Sequence, residues 1–244
     1  KYGNTVICAG IVGFADLTMG ASVEEVLNLQ TLAGGSRFKG IRYGAGYDPS
    51  PHINNSHTNP PPGIYNNRNF REGFAKLKQF DLSFEAWLYH PQIDDVISLA
   101  RDFPAQPIVL NHFGGPIGIG PYRNKRDQIF TEWKQSIQAL SKCSNVFAKL
   151  GGLGMVLNGY QFETNSTPPS SLELAELWSP YFETTIEAFG TNRCMFESNF
   201  PVDKVTSTYA VYWNCFKRIT QNASTGEKQQ LFHDTAKRFY RLQV

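Results

Sequence analysis

The sequence lacks the features that mark membrane and nucleic-acid-binding proteins. No apolar run approaches the roughly 18–20 residues that a membrane-spanning helix needs. Lysine and arginine are not clustered, and 23 of them against 21 acidic residues give a net charge of +2. We therefore expect neither a nucleic-acid nor a membrane partner. Aromatic residues make up 14% of the chain, which excludes intrinsic disorder as its main state.

Cysteine is scarce, and its spacing excludes two kinds of site. The four cysteines are Cys8, Cys143, Cys194 and Cys215. They form no C-x-x-C pair and no dense pattern, so we expect neither a zinc cage nor a disulfide framework. Free cysteines suit a reducing compartment, and we therefore expect a cytoplasmic protein.

No glycine-rich nucleotide-binding pattern follows a predicted strand, which argues against a doubly wound fold. Instead, short apolar runs alternate six times with amphipathic segments. The predicted strands are 6–17, 38–43, 82–88, 107–111, 145–150 and 193–196. Helices are predicted over 23–33 (capped by Ser22), 69–80 (capped by Asn69), 91–103, 125–141, 172–189 (broken near Pro180), 206–222 and 225–240. The strands are continuous apolar runs, which is typical of a parallel sheet covered on both faces, so we expect a single α/β domain.

Polar or aromatic side chains stand where the predicted strands end, and barrel active sites gather at those ends. The candidates are Asp16, Arg42, Tyr43, Trp87, His90, Asn111, His112, Lys149, Glu197 and Asn199. A long connection rich in Pro and Asn, residues 44–69, suggests either a functional lid or disorder.

His112 is the strongest single candidate, because an imidazole can act as a general base, a proton donor or a metal ligand. Its alternative is a core histidine bonded to a carbonyl group. Arg42 could hold a substrate carboxylate or form a structural ion pair. Glu197 could act as an acid or base with Asn199 orienting water, sharing a face if the strand extends that far. Alternatively, these two form a polar turn before Pro201.

The remaining candidates each have a structural alternative. Trp87 could be a stacking wall or part of the core, and His90 could contact substrate or only begin a helix. Lys149 is either a buried ion-pair partner or an electrostatic stabiliser. The other histidines are predicted to be solvated, namely His52, His57 and His233.

Four segments together resemble the amidohydrolase-related family of TIM-barrel hydrolases, in particular its lactonase branch. These segments are 85–92 (EAWLYHPQ), 109–116 (VLNHFGGP), 146–153 (VFAKLGGL) and 193–202 (RCMFESNFPV). The resemblance runs from about Ile7 to the end and includes the last helix. It implies a (β/α)8-type barrel, but the family's first-strand His-x-His pair is absent. The strand at 6–17 resembles the third of the family, so we expect a barrel that is incomplete at its amino end.

The resemblance also implies roles for individual residues. His112 corresponds to the family's strand-six histidine, and Asn199 stands where the family usually has a strand-eight aspartate that activates water or binds metal. An amide cannot take a proton from water, so Glu197 is our candidate for the missing carboxylate. His112, Glu197 and Asn199 would be catalytic, while Arg42, Trp87, His90 and Lys149 would bind substrate.

The implied function is hydrolysis of a lactone of an organic or sugar acid, with that small molecule as the partner. The alternatives are a metal-dependent non-oxidative decarboxylase and a non-catalytic barrel that binds an organic acid. The cofactor is left open between a divalent metal such as zinc, in the complete protein, and none. Homo-oligomerisation is also left open, because an incomplete barrel exposes strand edges.

Overall fold

A computed structural model describes residues 7–243. It contains one parallel sheet of six strands, which lie side by side in sequence order and curl as part of a barrel does. The strands are β1 (Ile11–Gly13), β2 (Phe38–Gly44), β3 (Ser83–Trp87), β4 (Ile108–Leu110), β5 (Val146–Leu150) and β6 (Cys194–Phe196). Each strand after the first follows a helix, as the alternating sequence pattern predicts.

The helices lie on the outer face of the sheet, except that the last one reaches the inner face through Phe239. They are α1 (Val23–Gly34), α2 (Arg68–Lys76), α3 (Ile93–Asp102), α4 (Arg126–Leu140), α5 (Ser171–Phe189), α6 (Tyr209–Ile219), α7 (Thr225–Gln229) and α8 (Thr235–Phe239). A π-helical turn, Gln230–Asp234, joins the last two. Within residues 7–243 no helix is long and apolar enough to cross a membrane.

Successive side chains of strand β3 point to opposite faces of the sheet. Phe84 points outwards, and its ring lies 5.0 Å from that of Phe74 on α2. Glu85 points to the opposite, inner face and pairs in register with Arg42 of β2 and Val109 of β4. Since side chains alternate along a strand, the residues at every second position form the inner surface of the barrel.

The carboxyl-terminal residues close one end of that inner surface. Phe239 joins a small buried cluster with Val109 of β4 and Met195 of β6, and Tyr240 packs against it. This cluster lies at the level of Glu85, which is opposite Val109 in the register of β3 and β4.

Helix boundaries differ from the sequence prediction in several places. Asn67, and not Asn69, caps α2, and its side chain accepts a hydrogen bond from the Phe70 backbone. Ser22 makes no side-chain capping bond to α1. Helix α5 runs unbroken through Pro180, because buried neighbours such as Phe182 hold it against the core.

Three further predictions about segment length were wrong. The first strand covers only Ile11–Gly13, and the predicted helix at 206–222 begins later, at Tyr209, where the Thr208 side chain caps it. The predicted helix at 225–240 is divided by the π-helical turn. The segment 44–69 is ordered, with a short helical turn at Ile64–Asn66.

Candidate active site

Glu85 is the centre of an ion-pair network on the inner face. Its Oε2 accepts from Arg42 through Nε at 2.7 Å and lies 2.6 Å from Nη2. Its Oε1 accepts from Lys149 Nζ at 2.8 Å and from the Tyr240 hydroxyl. Asn111 Nδ2 donates to Oε2 at 3.2 Å. The network therefore joins β2, β3, β4, β5 and the carboxyl-terminal segment through one carboxylate.

This carboxylate is 2% exposed but ionised. Burial alone would raise the pKa of Glu85, but Lys149 and Arg42 hold that pKa well below its usual range. Burial opposes the charge of Arg42 as well, yet Glu85 and Glu197 raise its pKa above the usual value. Glu85 is not among the residues predicted at strand ends, because it lies in the middle of β3. The available signal was a carboxylate in an otherwise apolar strand.

His112 and Glu197 form a close pair at the carboxyl end of the sheet. Nδ1 of His112 lies 2.5 Å from Oε1 of Glu197, and the His112 backbone N–H donates to the same oxygen at 3.2 Å. Lys149 Nζ lies 3.5 Å from Oε2 of Glu197. Burial would raise the pKa of Glu197, but His112 and Lys149 lower it to about 2. Glu197 is thus ionised at neutral pH and can stabilise a protonated imidazole.

The loop after β5 leaves space for this pair. A Cβ at Gly152 would lie 2.7 Å from Nδ1 of His112, and one at Gly151 would lie 2.1 Å from the Glu197 carbonyl oxygen. His112 and Phe113 themselves have φ values of 53° and 56°, which side chains rarely adopt. Trp133 Nε1 donates to the Phe113 carbonyl at 2.7 Å and holds this turn. Such strain is concentrated at functional sites.

Trp87 lies beside the pair, whereas His90 does not. The Trp87 and His112 ring centroids are 4.9 Å apart and meet edge to face. His90 is buried against Tyr122, and its Nδ1 accepts from the Ile117 backbone at 3.2 Å. Burial lowers the pKa of His90 to about 4, so its ring is neutral. His90 therefore supports the loop after β4.

Asn199 makes its side-chain hydrogen bond to Asp203 and not to Glu197. Strand β6 ends at Phe196, and Asn199 has a φ of 51°, so the two residues do not share a strand face. The Asn199 amide donates to Oδ1 of Asp203 at 2.7 Å. Asp203 is fully buried, and burial raises its pKa to about 7. Sequence reasoning did not identify Asp203, because nothing in its local pattern distinguishes it from a loop carboxylate.

The donor groups present do not fit a metal centre. Within residues 7–243, no three His, Cys, Asp or Glu side chains come together in a way that could hold a metal ion. His112 and Glu197 are together but face each other, and the ammonium group of Lys149 lies beside them. A catalytic zinc site usually has three protein ligands. His52, His57 and His233 are exposed and lie elsewhere.

Comparison with known proteins identifies the family of this arrangement. The family model described as amidohydrolase matches residues 7–242. The protein y4mH of Sinorhizobium fredii is 35% identical over 237 residues, which is 96% of this chain and 70% of y4mH. An L-fucono-1,5-lactonase of Burkholderia multivorans is 23% identical over 237 residues, 96% of this chain and 72% of the lactonase.

Solved structures show the same fold at lower sequence identity. An amidohydrolase from Burkholderia multivorans with bound zinc has a TM-score of 0.76 at 22% identity, covering 96% of this chain and 74% of that one. A probable 2-pyrone-4,6-dicarboxylic acid hydrolase from Acinetobacter baumannii, with citric acid bound, has a TM-score of 0.60 at 12% identity, covering 94% and 72%. The matches confirm the prediction that the six strands form part of a TIM barrel of this kind.

Proposed function

The chain belongs to the amidohydrolase family, and from this premise we propose that it is a hydrolase that opens the ring of a lactone. The observation that carries the proposal is the His112–Glu197 pair at the carboxyl end of the sheet, with the Nδ1 to Oε1 distance of 2.5 Å. A carboxylate that orients an imidazole is a common arrangement for moving the proton of an attacking nucleophile. The similarity to an L-fucono-1,5-lactonase supports a cyclic ester as the substrate class.

In the proposed reaction, water attacks the lactone carbonyl carbon while His112 takes one of its protons. Nδ1 is paired with Glu197, so Nε2 is the nitrogen that accepts the proton, and the ionised carboxylate stabilises the imidazolium. The carbonyl oxygen becomes an oxyanion, near which Arg42 or Lys149 supplies positive charge. The ring C–O bond then breaks, His112 returns the proton to the leaving alkoxide, and an open hydroxy acid results.

The other candidate residues have supporting roles in this proposal. Asn199 donates its amide to Asp203, which leaves its own side-chain oxygen to orient a water molecule. Trp87 forms a wall against the His112 ring. No step is assigned to a metal ion, because the donor set around His112 does not fit one.

Turnover by His112 and Glu197 variants tests the proposal. We expect acid release from a panel of sugar-acid 1,5-lactones and carboxylated 2-pyrones, measured at constant pH after subtraction of spontaneous hydrolysis. His112→Asn should lower kcat by about 10²–10⁴-fold, and Glu197→Gln by about 10-fold or more. His233→Asn is the matched control, because His233 is exposed and pairs with Asp234.

Three results would contradict the proposal. Unchanged turnover in Glu197→Gln, with an unchanged melting curve, would remove Glu197 from the mechanism. Release of CO2 from a carboxylated substrate without ring opening would favour a decarboxylase. Tight binding of an organic acid with no turnover of any lactone would favour a non-catalytic barrel.

A further inference from the structure

Residues 239–242, the carboxyl-terminal segment, connect strands that lie far apart in the sheet. Phe239 belongs to the same buried cluster as Met195 of β6. Three residues further along, the chain has crossed to the other side of the sheet, because Arg241 donates to the Lys39 carbonyl of β2 at 3.2 Å. The segment therefore passes across the inner surface between β6 and β2.

The backbone of this segment is fixed on both sides of Tyr240. The Tyr240 N–H donates to the Ala236 carbonyl at 3.0 Å, and the Leu242 N–H donates to the Lys237 carbonyl at 2.9 Å. Arg241, between them, has a φ of 51°. A residue in the left-handed region together with such a bond is a common way to end a helix. The Tyr240 side chain therefore leaves a defined backbone position towards the inner face.

Tyr240 shares one oxygen of Glu85 with Lys149. The Tyr240 hydroxyl donates to Oε1 of Glu85, which also accepts from Lys149 Nζ at 2.8 Å. The same Nζ lies 5.5 Å from the centroid of the Tyr240 ring. Burial and the charge of Glu85 raise the pKa of Tyr240 well above its usual value, so the phenol keeps its proton and is the donor. The hydroxyl and the ammonium group therefore compete for the same lone pairs.

The charges that surround the proposed catalytic pair balance. Arg42 and Lys149 carry two positive charges, and the ionised Glu85 and Glu197 carry two negative ones. Lys149 is divided between the two carboxylates, at 2.8 Å from Glu85 and 3.5 Å from Glu197. A movement of Nζ towards either carboxylate leaves the other less neutralised. The position of Nζ therefore sets how strongly Glu197 attracts a proton to His112.

We propose that Tyr240 is a positioning residue, whose hydroxyl group keeps the Lys149 ammonium between Glu85 and Glu197. Without this hydroxyl, Oε1 of Glu85 is left to Lys149, and Nζ moves towards Glu85. Glu197 then holds a proton on His112 more strongly, and the imidazole is less available as a base. Tyr240 itself contacts neither His112 nor, in the proposed mechanism, the substrate. The role rests on the proposed lactone hydrolysis, in which His112 is the base.

The pH profile of kcat/KM tests this role, because two changes at one hydrogen bond should act in opposite directions. Tyr240→Phe removes the hydroxyl and keeps the ring, and it should move the acid limb of the profile to higher pH by about half a unit or more. Glu85→Gln releases Lys149 to Glu197 and should move the same limb to lower pH. KM for the lactone should stay within about twofold in Tyr240→Phe, because Tyr240 does not contact the substrate.

Nuclear magnetic resonance separates this role from the proposed reaction. The ring nitrogens of His112 are titrated in ¹⁵N-labelled protein, and His112→Asn identifies their signals. The midpoint should rise in Tyr240→Phe and fall in Glu85→Gln. The matched control is Tyr65→Phe, which removes a buried hydroxyl that donates to the Tyr43 carbonyl at 2.9 Å, and it should leave the midpoint unchanged. If the midpoints move in this way but no lactone is hydrolysed, the positioning role stands and the proposed function fails.

A double variant tests whether Lys149 is the mediator. In Lys149→Met protein, Tyr240→Phe should no longer move the His112 midpoint, because the group that transmits the change is absent. Asp203, whose charge also acts on Glu197, is present in every variant. An equal shift with and without Lys149 would overturn the proposal. A His112 midpoint that Tyr240→Phe leaves unchanged, or that Tyr240→Phe and Glu85→Gln move in the same direction, would also overturn it.

Discussion

Replacement of Asp203 by Asn should remove a pH dependence from the stability of this protein. Asp203 is fully buried. Its Oδ1 accepts from Asn199 at 2.7 Å, and its Oδ2 lies 3.4 Å from the Gly154 backbone nitrogen. Burial outweighs these two contacts and, together with the charge of Glu197, raises the Asp203 pKa from 3.8 to about 7. The carboxyl group is therefore more acidic in the unfolded chain than in the fold.

The sign of the effect follows from proton binding. Between pH 3.8 and about 7 the folded protein holds a proton on Asp203 that the unfolded chain has lost. Asp203 therefore makes its full stabilising contribution to the free energy of unfolding below pH 3.8. This contribution is lost as the pH rises from 3.8 to about 7. A pKa difference of this size corresponds to about 4 kcal/mol, of which about 2–3 kcal/mol falls between pH 5 and pH 8.5.

Burial of His90 changes the pH dependence of stability in the opposite direction, and its contribution must be distinguished from that of Asp203. Burial lowers its pKa from 6.5 to about 4, so the unfolded chain binds the extra proton there. That contribution to stability is present above pH 6.5 and is lost as pH falls to about 4. The two effects can cancel in the wild-type protein, and only a comparison with a variant isolates Asp203.

Urea unfolding of wild type and Asp203→Asn at pH 5 and pH 8.5 makes this comparison. The free energy of unfolding of Asp203→Asn minus that of wild type should be about 2–3 kcal/mol larger at pH 8.5 than at pH 5, because an amide mimics the protonated carboxyl. Glu183→Gln, the same change at an exposed position, should show no such gain. A stability difference between Asp203→Asn and wild type that is equal at both pH values would refute the reasoning.

Two further changes test the packing around the pair. Gly152→Ala should lower kcat at least tenfold in a folded protein, because its Cβ would lie 2.7 Å from the His112 ring and its φ is +85°. Gly226→Ala, where a Cβ meets nothing within 4 Å, should leave kcat unchanged, and equal activity of the two variants would contradict this. Lys149→Met should cost about 3–5 kcal/mol in urea unfolding, because Glu85 and Glu197 both lose a cation. A Lys149→Met protein as stable as wild type would show that the buried network is not stabilising.

The strand order and the residues at strand ends could be predicted from the sequence. Runs such as 108–110 are apolar and short, and the helices between them leave few arrangements other than a parallel sheet. Since the carboxyl ends of such strands lie together, His112 and Lys149 were expected to be near each other. These two predictions use only the order of the strands along the chain and do not need the register between neighbouring strands.

The partners of these residues could not be predicted. Glu85 and Arg42 are directly opposite in the register of β2 and β3, which no pattern within either strand specifies. Lys149 reaches Glu85 from two strands away, and Asn199 meets Asp203 through irregular backbone with a positive φ. Such contacts depend on sheet curvature and loop conformation, which are set by the whole fold.

Among the residues that the structure describes, Lys149 forms an ion pair with both Glu85 and Glu197. Its Nζ lies 2.8 Å from Glu85 and 3.5 Å from Glu197. Loss of the Glu85 charge would therefore allow Lys149 to bind Glu197 more closely and compete with His112 for it. A change in the interior of β3 thus acts on the imidazole through Lys149, although Glu85 itself contacts neither His112 nor, in the proposed mechanism, the substrate.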